Sequence, residues 1–290
     1  MRRTSRIQAL AAAGMALCLA AGAAHSQTVV YSSTFEAPLY SLGPIGDSHG
    51  APLSGQDRWL ASPREPYSAA PSPWVVVNDQ RATSGTQSMS LRMDPSFFNG
   101  VNARGAEAAR DFSNSPIVLN SPVDAFSVSM RLYLQQTAAS DLGWALSLYT
   151  GGCCGLSVSF LPGGDKVGYG HNLMNQGQTF TPGFGLLNTW LTVRLERDPL
   201  DHTALLLSLG DGSQTWTQQL TSPGGAMPYF AISGLMPTFP VAPYGTAFVD
   251  DLVIGYNLAA AVPEPTPALL WLAGAAGLAG WMRRRLPGRA

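Results

Sequence analysis

Asp124-Ala125-Phe126-Ser127-Val128-Ser129-Met130-Arg131-Leu132-Tyr133-Leu134-Gln135 is the stretch on which the fold of this 290-residue chain turns. In an extended strand Phe126, Val128, Met130, Leu132 and Leu134 fall on one side, and Ser127, Ser129, Arg131 and Tyr133 on the other. Alternation sustained over that length marks a strand with one face on a core and the other in water. The same period of two recurs at Met89-Leu91-Met93, Trp144-Leu146-Leu148, Leu156-Val158-Phe160, Leu191-Val193-Leu195 and Leu205-Leu207-Leu209. Turn signals part these runs: Asn99-Gly100, Gly163-Gly164-Asp165, Asp211-Gly212 and Pro223-Gly224-Gly225. No long stretch from Gln27 to Ala260 has helical periodicity. About a dozen short strands with one-sided patterning predict an all-β domain over 27–260, two stacked antiparallel sheets of jelly-roll type.

The two ends of the chain read differently. Residues 1–26 have the layout of a secretory signal peptide: Arg2, Arg3 and Arg6, then an apolar run from Ile7 to Ala24, then small residues at Ala24 and Ser26 for a signal peptidase. At the other end a Pro-rich spacer (261–267) precedes an apolar run, Ala268–Met282, built only of Ala, Leu, Gly, Trp and Met. As a helix it would cover roughly 22 Å, short of the roughly 30 Å hydrocarbon core, so it spans only with local thinning and snorkelling flanks. Trp271 and Trp281 lie near its ends. Arg283, Arg284 and Arg285 open the basic tail (283–290) and orient that tail to the cytoplasm. The rest of the chain is then expected outside, anchored by this segment.

Without both ends the domain keeps 10 basic and 17 acidic residues, a net charge near −7, with Lys166 its only lysine. A domain so acidic lacks the basic stripe that neutralises phosphates, which excludes nucleic acid as the expected partner. Its two cysteines, Cys153 and Cys154, are adjacent and do not have the spacing of a zinc or redox motif. In an oxidising compartment they would close a vicinal disulfide within a Gly-rich turn, or remain thiols or pair between chains.

Two resemblances sharpen these readings. Val262-Pro263-Glu264-Pro265, the short apolar helix and the arginine cluster, in that order, resemble the PEP-CTERM sorting signal of Gram-negative bacteria that make extracellular polysaccharide. That implies recognition by an exosortase, a membrane-embedded cysteine transpeptidase, with cleavage near Pro-Glu-Pro and delivery across the inner membrane to the cell surface or medium. Within the domain, the quoted elements are Phe35-Glu36, Leu53-Ser54-Gly55-Gln56 before Trp59, Ala82-Thr83-Ser84-Gly85-Thr86-Gln87-Ser88, Asn188-Thr189-Trp190 and Phe248-Val249-Asp250-Asp251-Leu252-Val253-Ile254. This series resembles concanavalin-A-like lectin/glucanase sandwiches, particularly laminin-G-like members. Galactose-binding-like carbohydrate-binding modules share its Phe-Glu start and Asp-Asp finish.

Candidate sites follow from residue types and strand faces. Glu36 with Asp250 and Asp251 offers carboxylates for a structural Ca²⁺, provided the first and last strands are neighbours. Alternation sends Asp250 and Asp251 to opposite faces, so at most one of them would face Glu36. Arg131, Tyr133, Tyr149, Trp190 and Arg194 lie opposite the aliphatic stripes, and on neighbouring strands they would form a surface of aromatic rings and guanidiniums suited to a sugar. The bland alternative is cross-strand packing. Glu196-Arg197-Asp198-Pro199-Leu200-Asp201 looks like a glucanase signature, but Asp201 stands where a Glu belongs and Pro199 interrupts the ladder, so a turn is the expectation. His49, His171 and His202 have no partners nearby in sequence, and no catalytic motif is legible. The expectation is an exported, non-enzymatic sandwich that binds polysaccharide or builds extracellular matrix. The alternatives are a glycan hydrolase or lyase with a degenerate site, or a structural coat protein.

Overall fold

Asp124–Gln135 forms one unbroken strand, β8, with the bounds that its alternation predicts. The computed structural model describes residues 27–46, 56–62, 75–93, 104–113, 117–118, 124–136, 143–149, 155–170, 177–198, 201, 203–235 and 245–258. The signal peptide, the sorting motif Val262–Pro265, the apolar run, Arg283–Arg285, Cys153, Cys154 and the three histidines of the domain lie outside the described residues. Among the described residues no helix is long and apolar enough to cross a membrane.

Strand β8 sits in the middle of the larger sheet. Its order runs β15 (Thr215–Thr221), β14 (Ala204–Gly210), β13 (Trp190–Arg197), β8, β18 (Gly245–Leu258), β5 (Ser88–Met93), β4 (Val75–Asn78), β2 (Gly43–Pro44), and β1 (Gln27–Ser33) also pairs with β18. The first and last strands are thus neighbours, as the sequence reading required. The second sheet runs β12 (Gln178–Phe180), β11 (Val167–Gly170), β10 (Gly155–Phe160), β9 (Gly143–Tyr149), β17 (Tyr229–Leu235), β6 (Arg104–Asp111), β3 (Trp59–Ser62). A short ribbon pairs β7 (Ile117–Val118) with β16 (Ala226–Met227). Every strand pair whose register is resolved is antiparallel.

The apolar stripes set the register. Across β8 and β13 the partners run from Trp190 opposite Tyr133 to Glu196 opposite Ser127 without a slip. A one-residue slip would turn Leu191, Val193 and Leu195 out to water, so burial itself fixes the pairing. These leucines and valines meet Phe126, Val128, Met130, Leu132 and Leu134 from β8 and Leu205, Leu207 and Leu209 from β14 in one core. The second sheet supplies Trp144, Leu146, Leu148, Leu156, Val158, Phe160, Phe230 and Ile232 to that core, and Trp59 and Trp144 are fully enclosed. The result is an antiparallel two-sheet sandwich of jelly-roll type.

Candidate functional site

Asp250 and Asp251 do not leave the sheet on opposite sides, which corrects the expectation from alternation. Ala247 and Val249 enter the core and so do Leu252 and Ile254, so the inward parity changes across the two acids. Asp251 has φ 49°, a left-handed conformation that lets a strand take up an extra residue as a bulge. Both carboxylates therefore reach the same segment. Asp250 Oδ2 accepts from the Thr83 amide (2.8 Å), the Thr83 hydroxyl (2.9 Å) and the Ser84 amide (3.1 Å). Its Oδ1 accepts from the Asp251 amide at 2.8 Å. Asp251 takes the Thr83 hydroxyl at 2.9 Å and the Ser84 hydroxyl.

Glu36 holds the other end of the same loop. Its Oε1 accepts the amides of Thr86 and Gln87, each at 2.6 Å, and Oε2 accepts the Thr86 hydroxyl at 3.1 Å. Desolvation pushes the Glu36 carboxyl up, but those donors from Gln87 and Thr86 outweigh it and hold the group below the usual carboxylate range. Between them stands Gly85 at φ +64°, where a Cβ would lie 2.3 Å from Glu36 Oε1. Only glycine fits that turn. The Thr-Ser-Gly-Thr-Gln segment is thus clasped by three acids, and their oxygens are committed to N–H and O–H donors. A Ca²⁺ ion takes six to eight oxygens; here the oxygens of the three acids serve the donors of the loop and act as its clasp. A cavity of about 310 Å³ opens beside the clasp, lined by Ser32 to Tyr40 and by Asp251, Leu252 and Val253.

Gln56 and Trp59, from another of the quoted elements, are also structural. Gln56, buried, bridges two turns: its Nε2 donates to Ser41 O (2.9 Å) and Pro44 O (3.1 Å). Trp59 Nε1 donates to the hydroxyls of Tyr31 (2.9 Å) and Tyr40 (3.2 Å), and Tyr40 passes on to Asp57 at 3.1 Å. Arg110 closes the network, 3.3 Å from Asp57 and with its guanidinium carbon 4.0 Å from the centre of the Tyr31 ring. Burial pushes the Tyr31 phenol far above its ordinary value. This cluster pins β1 and the Phe35–Tyr40 turn to the second sheet.

Four of the five residues expected to touch a sugar do converge. Register places Trp190 opposite Tyr133 and Thr192 opposite Arg131, with Arg194 two residues further along β13 opposite Ser129 and Ser208. They share the outer face of the larger sheet. Tyr149 does not join them. It lies on β9 in the second sheet, opposite Gly155 and Tyr229, because β8 and β9 are consecutive in sequence and belong to different sheets. On the shared face Thr192 and Arg194 are exposed, and Arg131, Trp190 and Glu196 are half-buried. The Arg131 guanidinium donates to the Thr192 hydroxyl, and Arg194 pairs with Glu196 at 2.7 Å.

Tyr133 is not an open stacking platform. It is 9 % exposed, with Trp190 and Phe248 edge-on at 5.5 and 6.2 Å. The guanidinium of Arg81 covers its ring at 4.0 Å and lies 5.7 Å from Phe248. Sequence reading missed Arg81 as a member of the face. Its only signal was position, two residues ahead of Thr83 in a loop whose anchoring was not legible.

The glucanase-like run begins within β13, and its Pro199 and Leu200 lie outside the described residues. Arg197 pairs with Leu205 at the start of the β13–β14 hairpin. Asp198 is buried and accepts the side-chain Nε2 of Gln219 at 2.9 Å. Asp201 caps the turn, its Oδ1 accepting the Thr203 amide (2.8 Å) and hydroxyl (2.6 Å). Glu196 faces Arg194.

No family model matches the chain, and no curated protein matches it. Solved structures that resemble it include a carbohydrate esterase from a Shiga toxin-encoding bacteriophage, 14 % identical with TM-score 0.48, covering 80 % of this chain and 100 % of that one. An alginate lyase of polysaccharide lyase family 7 is 11 % identical with TM-score 0.48, covering 75 % and 100 %. A structure of botulinum neurotoxin type C, described as entering cells through two ganglioside molecules, is 10 % identical with TM-score 0.46, covering 79 % of this chain and 47 % of the toxin chain. The chain thus spans about half the length of that toxin structure.

Proposed function

We propose that this protein is an exported glycan-binding sandwich and not an enzyme, and that the glycan lies on the outer face of the larger sheet around Trp190, Arg131, Thr192 and Arg194. One observation carries the reading. Register brings an indole, two guanidiniums and a row of hydroxyls onto one solvent-facing surface, the mixture of flat ring and polar donors that holds a sugar. The acids favour binding over turnover. Glu36, Asp250 and Asp251 are occupied by the loop they clasp, Asp198 by the Gln219 side chain on β15, and Asp201 by the turn donors of Thr203. Retaining hydrolysis needs two carboxyls about 5–5.5 Å apart across a cleft. On this reading the tail, outside the described residues, is read by an exosortase after a signal peptidase removes the leader, and the domain works at the cell surface or in the matrix.

A glycan array probed with the mature protein tests the binding. Hits that fall at least tenfold with Trp190→Ala, without release of reducing ends, support it. Turnover of any hit makes the protein an enzyme, and a blank array leaves a structural coat protein. Mass spectrometry of both termini from native cells tests the sorting, which fails if the chain is recovered with both ends intact.

A further inference from the structure

We propose that the glycan is anionic, a polysaccharide carrying carboxylates along its length, and that Arg131, Arg194, Arg92 and Arg81 read those carboxylates. This rests on the glycan-binding reading above. The domain has 17 acidic and only 10 basic residues outside its two ends, so acids are plentiful enough to pair every cation. Elsewhere pairing occurs: Arg110 is held by Asp57. The outer face of the larger sheet departs from that. Arg131 and Arg194 lie there by register. Arg92 is exposed opposite Thr246 on the same side as Ser90, which pairs with Phe248. Arg81 lies over Tyr133 and Phe248 on that face. Only Arg194 of the four has a carboxylate partner among the described residues, Glu196, and the guanidinium of that pair is open to water.

A guanidinium is a planar fork that fits a carboxylate through two parallel N–H donors, and it also stacks on rings, as Arg81 does. Arg131 and Arg194 are diagonal neighbours on adjacent strands, about 7–8 Å apart at their bases, and their long side chains can reach successive acidic sugars. The excess negative charge of the domain opposes approach of a polyanion. Salt screens that repulsion beyond about 8–10 Å, and short bidentate contacts are screened less. Glu196, on the face itself, pairs with Arg194; Asp198 takes the Gln219 side-chain amide, and Asp250, fully buried, takes Thr83 and Ser84.

The test is titration of the mature protein with polygalacturonic acid, with the same polymer after reduction of its carboxyls to alcohols, and with a neutral β-glucan. Expected is binding to the polyuronate about tenfold or more tighter than to its reduced form, with that preference shrinking as salt rises. Arg131→Gln with Arg194→Gln should abolish the preference, bringing the affinity for the polyuronate down to that for its reduced form. Arg92→Gln, on an exposed side chain whose loss leaves the fold intact, should reduce it separately. Equal affinity for native and reduced polymer overturns the anionic inference and leaves the glycan-binding reading standing. Tighter binding to the neutral polymers does the same. Failure of all three polymers overturns both.

Discussion

Replacing Asp250 by alanine is the sharpest test of the loop clasp. Asp250 has no exposed surface and receives three backbone amides, from Thr83, Ser84 and Asp251, besides the Thr83 hydroxyl. Hydrogen bonds to an ionised acceptor contribute about 1.5–3 kcal/mol each, so the three amides represent roughly 5–9 kcal/mol gross. Two corrections reduce that. Thr83 and Ser84 are half-exposed, so water can replace much of what they lose, and removing one of two carboxylates that share the Thr83 hydroxyl relieves like-charge repulsion. The expected loss is about 2–4 kcal/mol, a large part of the 5–15 kcal/mol typical of a domain.

Urea unfolding followed by tryptophan fluorescence measures this loss, since Trp59 and Trp144 are buried. Asp250→Asn should lose less than alanine, because its one remaining oxygen still serves part of the donor set. A loss under about 1 kcal/mol for alanine would refute the clasp. Chelation separates the clasp from calcium: EDTA should leave the wild-type midpoint unmoved, and a fall of several degrees on chelation would show that these acids hold an ion after all.

The other expectations concern neighbouring parts of the same frame. Gly85→Ala forces an L-residue to φ +64° with its Cβ against Glu36, and thermal unfolding should register about 2–3 kcal/mol from strain and lost amide bonds. The Glu36 carboxyl sits below its ordinary value, so its contribution is complete above the unfolded pKa of about 4.3 and is lost as pH falls through the folded one. Stability titrated between pH 6 and 3 should fall more steeply in the wild type than in Glu36→Gln. Asp211, lowered to about 2 by the amides of Gln214 and Ser213 and the Ser213 hydroxyl, should still be ionised at pH 3 by carboxyl-carbon NMR. Trp59→Phe removes the donor shared by Tyr31 and Tyr40 and should cost about 2–4 kcal/mol, read by urea unfolding.

Strands β8 and β9 were legible to the residue because each sets an apolar face against a polar or small one. Strand β6 was not, for a reason of chemistry. Arg-Gly-Ala-Glu-Ala-Ala-Arg-Asp is rich in good helix formers, and it is extended because β17 and β3 pair with it on both sides. The paired exit of Asp250 and Asp251 did leave a trace: two polar residues between apolar Val249 and Leu252 break the period of two, which is the mark of a bulge. The residues that share the outer face of the larger sheet were legible where strand pattern fixes register, as for Trp190 and Tyr133. It failed for Tyr149, because pattern assigns a residue to a face and cannot assign its strand to one of two sheets.

The clasp and the candidate face are joined through one short loop. Arg81 is held at its carbonyl by the Ser88 hydroxyl, and two residues further on Asp250 fixes Thr83 and Ser84. The guanidinium that covers Tyr133 is therefore placed through Asp250, an acid that never reaches the surface. This gives Asp250 a measurable positioning role that a merely stabilising residue would lack. Asp250→Asn, studied where it remains folded, should weaken polyuronate binding, and Arg81→Gln should weaken it in the wild-type background. If Arg81 acts only from the position the clasp dictates, the double variant should bind about as weakly as the worse single one, a coupling of at least about 0.5 kcal/mol in a double-mutant cycle. Losses that simply add would mean that the loop holds Arg81 without Asp250, and that the acids and the binding face are independent features of the sandwich.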